Sequence, residues 1–115
     1  MLTEIEIKQL KKLVDWDEDK ISPLFQALSD PNRCRILRTL IKTGKRDFSV
    51  SEIAQLLEVS IPTASEHLSI LERSGALVRK RLKQQVSYEV KSGDPLIKSI
   101  ISVIKANESL SKNQD

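Results

Sequence analysis

The sequence is poor in residues that perform chemistry and in residues that stack on bases. Cysteine and histidine occur once each, as Cys34 and His67. A single cysteine closes no disulfide within the chain, and a reducing cytoplasm is its simplest home. Cys34 and His67 alone supply no thiolate or imidazole set for a transition metal within one chain, and carboxylate-only sites hold hard ions weakly. Aromatic residues make up 3% of the chain, too few for the stacking platform of a single-strand binder. No apolar run approaches the ~18 residues of a membrane span. The opening MLTEIEIKQLKKLV interleaves its charges, so no export signal is visible. No serine–histidine–acid set and no glycine-rich phosphate loop can be composed. The expectation is therefore a cytoplasmic protein that is not an enzyme and carries no cofactor and no metal.

What is present is an ordinary soluble composition with an uneven charge distribution. The 115 residues are 39% hydrophobic and 30% charged, enough for one compact domain. The net charge is only +3, but acidic residues crowd the first twenty positions (Glu4, Glu6, Asp15, Asp17, Glu18, Asp19). Basic residues crowd two later segments, from Arg33 to Arg46 and from Arg79 to Lys83. Polarised charge of this kind suggests a face for an anionic polymer; two solvated basic faces are the alternative.

Helical spacing of Ile7, Leu10 and Val14 predicts a first helix over residues 3–14. The acidic DWDEDK follows as a connector. A short second helix is expected over 22–28, with Ser22 as N-cap and Pro23 at the first helical position. SDPNRCRILRTLIKTG reads as a third, capped by Asp30-Pro31, striped by Leu37, Leu40 and Ile41, and closed by Gly44. Cys34 falls on that striped face, so a buried thiol is expected. SVSEIAQLL is a fourth helix with a capping box between Ser49 and Glu52. After a turn at Glu58-Val59-Ser60, Ser60 caps a fifth helix that ends at Gly75. In it Ala64, Leu68 and Leu71 face inward, Pro62, Glu66, Ser69 and Arg73 face outward, Thr63 and Ser65 lie on the flanks, and His67 sits at the core boundary.

Two β-prone runs, LVRKRL and VSYEV, follow as a hairpin turning through Lys83, Gln84 and Gln85. Asp94-Pro95 starts a last helix whose Leu96, Ile97, Ile100, Ile101, Val103 and Ile104 make a band too wide for one solvated helix. That band, with Ile7, Leu10 and Val14, is the expected dimer interface (Ile7, Leu10, Val14, Leu96, Ile97, Ile100, Ile101, Ile104).

Helix, short turn, helix and basic hairpin, in that order, is a winged helix-turn-helix: mainly α with a small β wing. A bracing helix presents the next one to the major groove, and the wing brings cations to the backbone. The segments ALSDPNRCRILRTL and SVSEIAQLLEVSIPTASEHLSILERSGALVRKR resemble the ArsR/SmtB-type transcriptional repressors. The matching residues are Asp30, Pro31, Arg33, Ile36 and Leu37, then Ser60, Pro62, Thr63, Ser65, His67, Leu68, Leu71, Gly75 and Val78. The resemblance implies a homodimer on double-stranded DNA at an inverted-repeat operator, released by an inducer whose identity the sequence does not give. It implies one domain: an N-terminal helix and connector over 1–20, a DNA-binding core over 22–91 and a dimerisation helix over 94–111. The DNA contacts expected are Ser60, Pro62, Thr63, Ser65, Glu66, His67, Ser69 and Arg73 on the recognition helix, and Arg79, Lys80, Arg81, Lys83, Gln84 and Gln85 on the wing.

Three features depart from that pattern. Glu66 stands where a basic or amide residue is common, the wing LKQQV turns without glycine, and the loop GKRDFSV, with Lys45 and Arg46, is longer than usual. A carboxylate facing DNA can accept a hydrogen bond from a cytosine amino group, or it can simply sit in water at the groove edge. Glu66 and the wing tip also leave open a different class of function, a winged helix turned into a protein-docking module.

Overall fold

Seven large aliphatic side chains, Ile36, Leu37, Leu40, Ile53, Leu68, Leu71 and Ile97, lose essentially all solvent contact in the computed structural model of the chain. Each contributes about 1.5–3 kcal/mol of burial, and together they come from four helices that pack around one centre. The structure describes residues 1–14, 18–44 and 47–113. Along the chain run α1 (Glu4–Val14), α2 (Glu18–Leu28), α3 (Pro31–Thr43), α4 (Val50–Leu57), α5 (Ile61–Arg73), β1 (Leu77–Leu82), β2 (Gln85–Val90) and α6 (Pro95–Asn113). Leu24 and Ala27 of α2, Ala54 of α4, Ala64 of α5, and Ala76, Leu77 and Tyr88 around the hairpin complete the core. Mainly α with a two-stranded wing is the architecture expected.

The local signals act where their chemistry places them. Asp30 Oδ1 accepts from the amides of Asn32 and Arg33 at 2.8 and 3.3 Å, opening α3. Ser49 and Glu52 form the reciprocal box that opens α4, at 3.2 and 3.0 Å. A second such box, unforeseen, joins Thr3 and Glu6 at the start of α1. Asp94 accepts from the amide of Leu96 at 2.9 Å, opening α6.

Two expectations fail in informative ways. Pro23 does not begin α2: the helix starts at Glu18, and Pro23 lies inside it. Proline forfeits one hydrogen bond to the residue four earlier, and the burial of Leu24 and Ala27 just beyond it holds the helix through that gap. The acidic connector is thus partly helical from Glu18 onward, while Lys45 and Arg46 of the long loop lie outside the described residues. Cys34 is exposed, not buried. Its thiol donates to the carbonyl of Leu28 at 2.9 Å, because the α2–α3 turn, and not the core, lies beside this first turn of α3.

The hairpin pairs antiparallel from Leu77↔Val90 to Leu82↔Gln85. Gln85 therefore belongs to β2, and Lys83-Gln84 alone make the turn. Lys83 takes a φ of 59° there, the left-handed conformation glycine would adopt without cost. Phe48 adds a bridge to the other edge, its carbonyl accepting from the amide of Tyr88 at 3.2 Å.

The terminal helices behave differently from each other. Every residue of α1 is exposed, including Ile5, Ile7, Leu10, Leu13 and Val14. In α6, Ile97 is 2% exposed within the chain's own core, so it has no surface left for a second chain and leaves the expected interface. Leu96, Ile100, Ile101 and Ile104 are partly buried against that core, and Val103 is open. Among the described residues, no helix is long and apolar enough to cross a membrane.

Candidate nucleic-acid interface

The fifth helix is held at both ends and along one side. Ser60 Oγ accepts from the amide of Thr63 at 3.2 Å, and Ala64, Leu68 and Leu71 are 0% exposed beneath it. At the far end Gly75, at φ 90°, lets the chain reverse. The amides of Gly75 and Ala76 bond to the carbonyls of Glu72 and Leu71, both at 3.0 Å, the double closure of a Schellman motif. The turn before α5 closes the same way: the amides of Glu58 and Val59 bond to Gln55 and Ala54 at 3.3 and 3.0 Å. Here the left-handed residue is Glu58, at φ 57°. A side chain in that conformation costs roughly 1 kcal/mol, and the fixed angle between α4 and α5 is what it sustains.

The face this seating presents is polar. Pro62, Thr63, Ser65, Glu66 and Arg73 are exposed, and Ser69 is half-buried. Thr63 Oγ1 accepts the Ser60 hydroxyl at 2.9 Å, so the Ser60 proton is occupied within the cap while that of Thr63 is free to donate. Arg73 Nε reaches back to the Ser69 carbonyl at 3.4 Å.

His67 is fixed by a contact that the sequence did not disclose. Arg33, 34 positions earlier on α3, places Nη1 3.3 Å from His67 Nδ1 and Nε 2.6 Å from the carbonyl of Ala27. Arginine only donates, so His67 accepts through Nδ1, which leaves the Nε2 hydrogen for another partner. Arg33 also lies 4.0 Å from Asp30 Oδ2. Partial desolvation raises the Asp30 carboxyl; the amides of Asn32 and Arg33, with the Arg33 charge, outweigh it and hold Asp30 below its usual 3.8. One guanidinium thus joins α2, α3 and α5. No helical periodicity reports a contact between Arg33 and His67; only the DPNR spacing hinted that Arg33 mattered.

On the wing, Arg79, Arg81, Lys83, Gln84 and Gln85 are exposed. Among the described residues, none of Arg79, Arg81 and Lys83 lies within 4.0 Å of a carboxylate. Lys80 differs from its neighbours. It donates to Glu89 at 2.8 Å, which raises its pKa above the ordinary 10.5. It also lines a cavity of about 550 Å³ with Asp47, Glu89 and Lys105 above Leu40, Ile41, Val90 and Ile101. The alternation of the strand puts Lys80 on the face opposite Arg79 and Arg81, so its charge is partly spent within the protein. No group of three or more His, Cys, Asp or Glu side chains gathers as a metal site among the described residues.

Known proteins share this arrangement. A family profile described as a helix-turn-helix domain matches residues 28–81. The chain is 36% identical over 67 residues to the transcriptional repressor SdpR of Bacillus subtilis, covering 58% of this chain and 71% of that one. It is 31% identical over 81 residues to the cadmium resistance transcriptional regulatory protein CadC of Listeria innocua, covering 70% of this chain and 66% of that regulator's length. The solution structure of the homodimeric winged helix-turn-helix domain Mb0332 of Mycobacterium bovis, a possible ArsR-family regulator, superposes with a TM-score of 0.68 over 88% of this chain and 94% of that one. At 18% identity that likeness speaks for the fold alone. A recognition helix seated by matching caps, a wing of cations beside it and these relatives together place the chain in the ArsR/SmtB-type family of winged helix-turn-helix DNA-binding transcriptional regulators.

Proposed function

We propose that the chain is a homodimeric, sequence-specific transcriptional repressor that binds an inverted-repeat operator and is not a Cys/His metal sensor. The observation that carries this reading is the rigid seating of α5 beside a wing whose Arg79, Arg81 and Lys83 have no acidic partner among the described residues. Cations on the wing supply affinity through phosphate contacts, and α5 selects bases. Glu66 is tolerable on that helix because its attraction to DNA is supplied elsewhere; its carboxylate accepts from a cytosine amino group. His67, steadied by Arg33, offers its remaining ring hydrogen to a backbone phosphate.

The dimer is supported by α1, whose apolar side chains are all exposed, and by the uncovered side of α6 around Val103. In such a dimer the two copies of α5 meet successive major-groove faces about one helical turn apart. Footprinting the full chain on its upstream DNA tests this directly. Two equivalent protected segments, centred about 10 base pairs apart, are expected; a single protected half-site refutes the dimeric arrangement.

Exposure of the large apolar side chains Phe25 and Leu56, on α2 and α4, favours a second reading, a winged helix that docks a protein partner. That reading predicts weak DNA binding with no preference among sequences.

A further inference from the structure

We propose that Ile61 is a specificity-determining residue that selects thymine by packing against its C5-methyl group in the major groove, an inference resting on the DNA-binding reading above. Ile61 is the first residue of α5 and is 55% exposed. It does not belong to the core and is not among the partly buried residues packed against it. Nor does it act as the apolar staple that often steadies a helix start. That position, before the Ser60 cap, is filled by Val59, which packs against the core, with buried Ala64 on the helix side. A β-branched side chain at an exposed helical position gains nothing from propensity. The fold therefore gives Ile61 no role.

Its surroundings say what it can touch. The N-terminal residues of a recognition helix are those that reach base edges. The Ser60 hydroxyl, next to Ile61, is engaged with Thr63 in both directions, accepting from its amide and donating to its oxygen. It has no hydrogen to give a base without releasing Thr63 Oγ1. Ile61 is thus the apolar element at the leading edge of α5, with exposed Ser65 one turn along the same flank. Among the groups that bases display in the major groove, only the thymine methyl is apolar. A phosphate or a cytosine edge would gain nothing from an isoleucine.

The experiment uses the full chain. Sites are first selected from a random duplex library; each thymine of the recovered site is then replaced singly by deoxyuridine, which keeps its pairing and loses only the methyl. One thymine in each half-site is expected to weaken binding about four-fold when replaced, the effect of exposing one methyl-sized group. Ile61→Ala should bind the unmodified site more weakly and lose this sensitivity at that position. Leu82→Ala, at a more exposed aliphatic on the wing, should retain it, since the wing meets the phosphate backbone and not the thymine methyl. Thymines all indifferent to replacement, or a penalty that persists in Ile61→Ala, overturn the role of Ile61 while leaving the repressor reading in place. Recovery of no preferred sequence overturns both. The deoxyuridine arm needs only the unaltered protein, so the requirement for a thymine methyl is tested independently of how a variant folds.

Discussion

Removing the Arg33 guanidinium should cost both stability and the fixed placement of the recognition helix. The side chain is 15% exposed, and its Nε donates at 2.6 Å to the carbonyl of Ala27, a residue only 1% exposed. That carbonyl belongs to the last turn of α2, where no intrahelical donor follows and where a positive charge is favoured by the helix dipole. A charged hydrogen bond of this kind contributes about 1.5–3 kcal/mol, and leaving its acceptor buried and unpaired adds to the loss. Arg33→Met keeps much of the apolar stem and should therefore destabilise by about 2–4 kcal/mol. With a urea slope of ~1.5–2 kcal/mol per molar for a chain of this size, the midpoint should fall by roughly 1–2.7 M. Urea unfolding followed by circular dichroism at one fixed protomer concentration measures it, since dimerisation would otherwise shift the midpoint. His67→Ala loses one partner of the same network, so the double variant should show a coupling of at least ~0.5 kcal/mol. A loss below ~0.5 kcal/mol for Arg33→Met, or strict additivity with His67→Ala, would refute the claim that this residue ties α2 to α5.

Three further outcomes follow from the same geometry. Glu58→Gly relieves the left-handed conformation between α4 and α5 and should raise the melting temperature by a few degrees, about 0.5–1 kcal/mol; a lower melting temperature would show that the Glu58 side chain has a role beyond the turn. Glu6 and Glu52 lie below their ordinary 4.5, because the amides and hydroxyls of Thr3 and Ser49 bond to their carboxylates. A depressed folded value means stability that is complete above the unfolded 4.5 and lost as pH falls from there through the lower folded value, so the urea midpoint should decline below about pH 5, and less so in Glu52→Gln. A midpoint independent of pH down to 3 would contradict that linkage. Glu66→Gln should shift the base selected at one position of each half-site away from cytosine and toward adenine, read by binding-site selection. Uniformly tighter binding with unchanged preference would instead place Glu66 in water at the groove edge.

How much of this was legible depended on the range of the interaction. The caps at Asp30, Ser49 and Ser60 and the closure at Gly75 are written within four or five residues, and the chain folds there as those residues dictate. The inward face of α5 was legible too, because Ala64, Leu68 and Leu71 share a helical period. Pro23 misled because its rule for starting a helix is local, whereas the burial of Leu24 and Ala27 that carries α2 past it is tertiary. Cys34 misled in the same way: a wheel ranks faces but does not say where along a helix the core begins. The bond between Arg33 and His67 joins residues 34 apart, and the pairing of Lys80 with Glu89 follows from strand register, so neither had a sequence signal. Ile61 carries no sequence signal either, because at a helix start periodicity does not distinguish an exposed aliphatic from a buried one.

The central claim is that α5 selects bases while the wing supplies charge. Fluorescence anisotropy of the unaltered protein against the DNA upstream of its own gene, beside scrambled DNA, at several salt concentrations, tests it most directly. If Arg73, Arg79, Arg81 and Lys83 of two subunits each meet a phosphate, log affinity should fall with log salt at a slope of about −7. The upstream fragment should also be preferred by about a thousand-fold or more. Equal, weak binding to both fragments would contradict the account, since it would mean that α5 does not select bases.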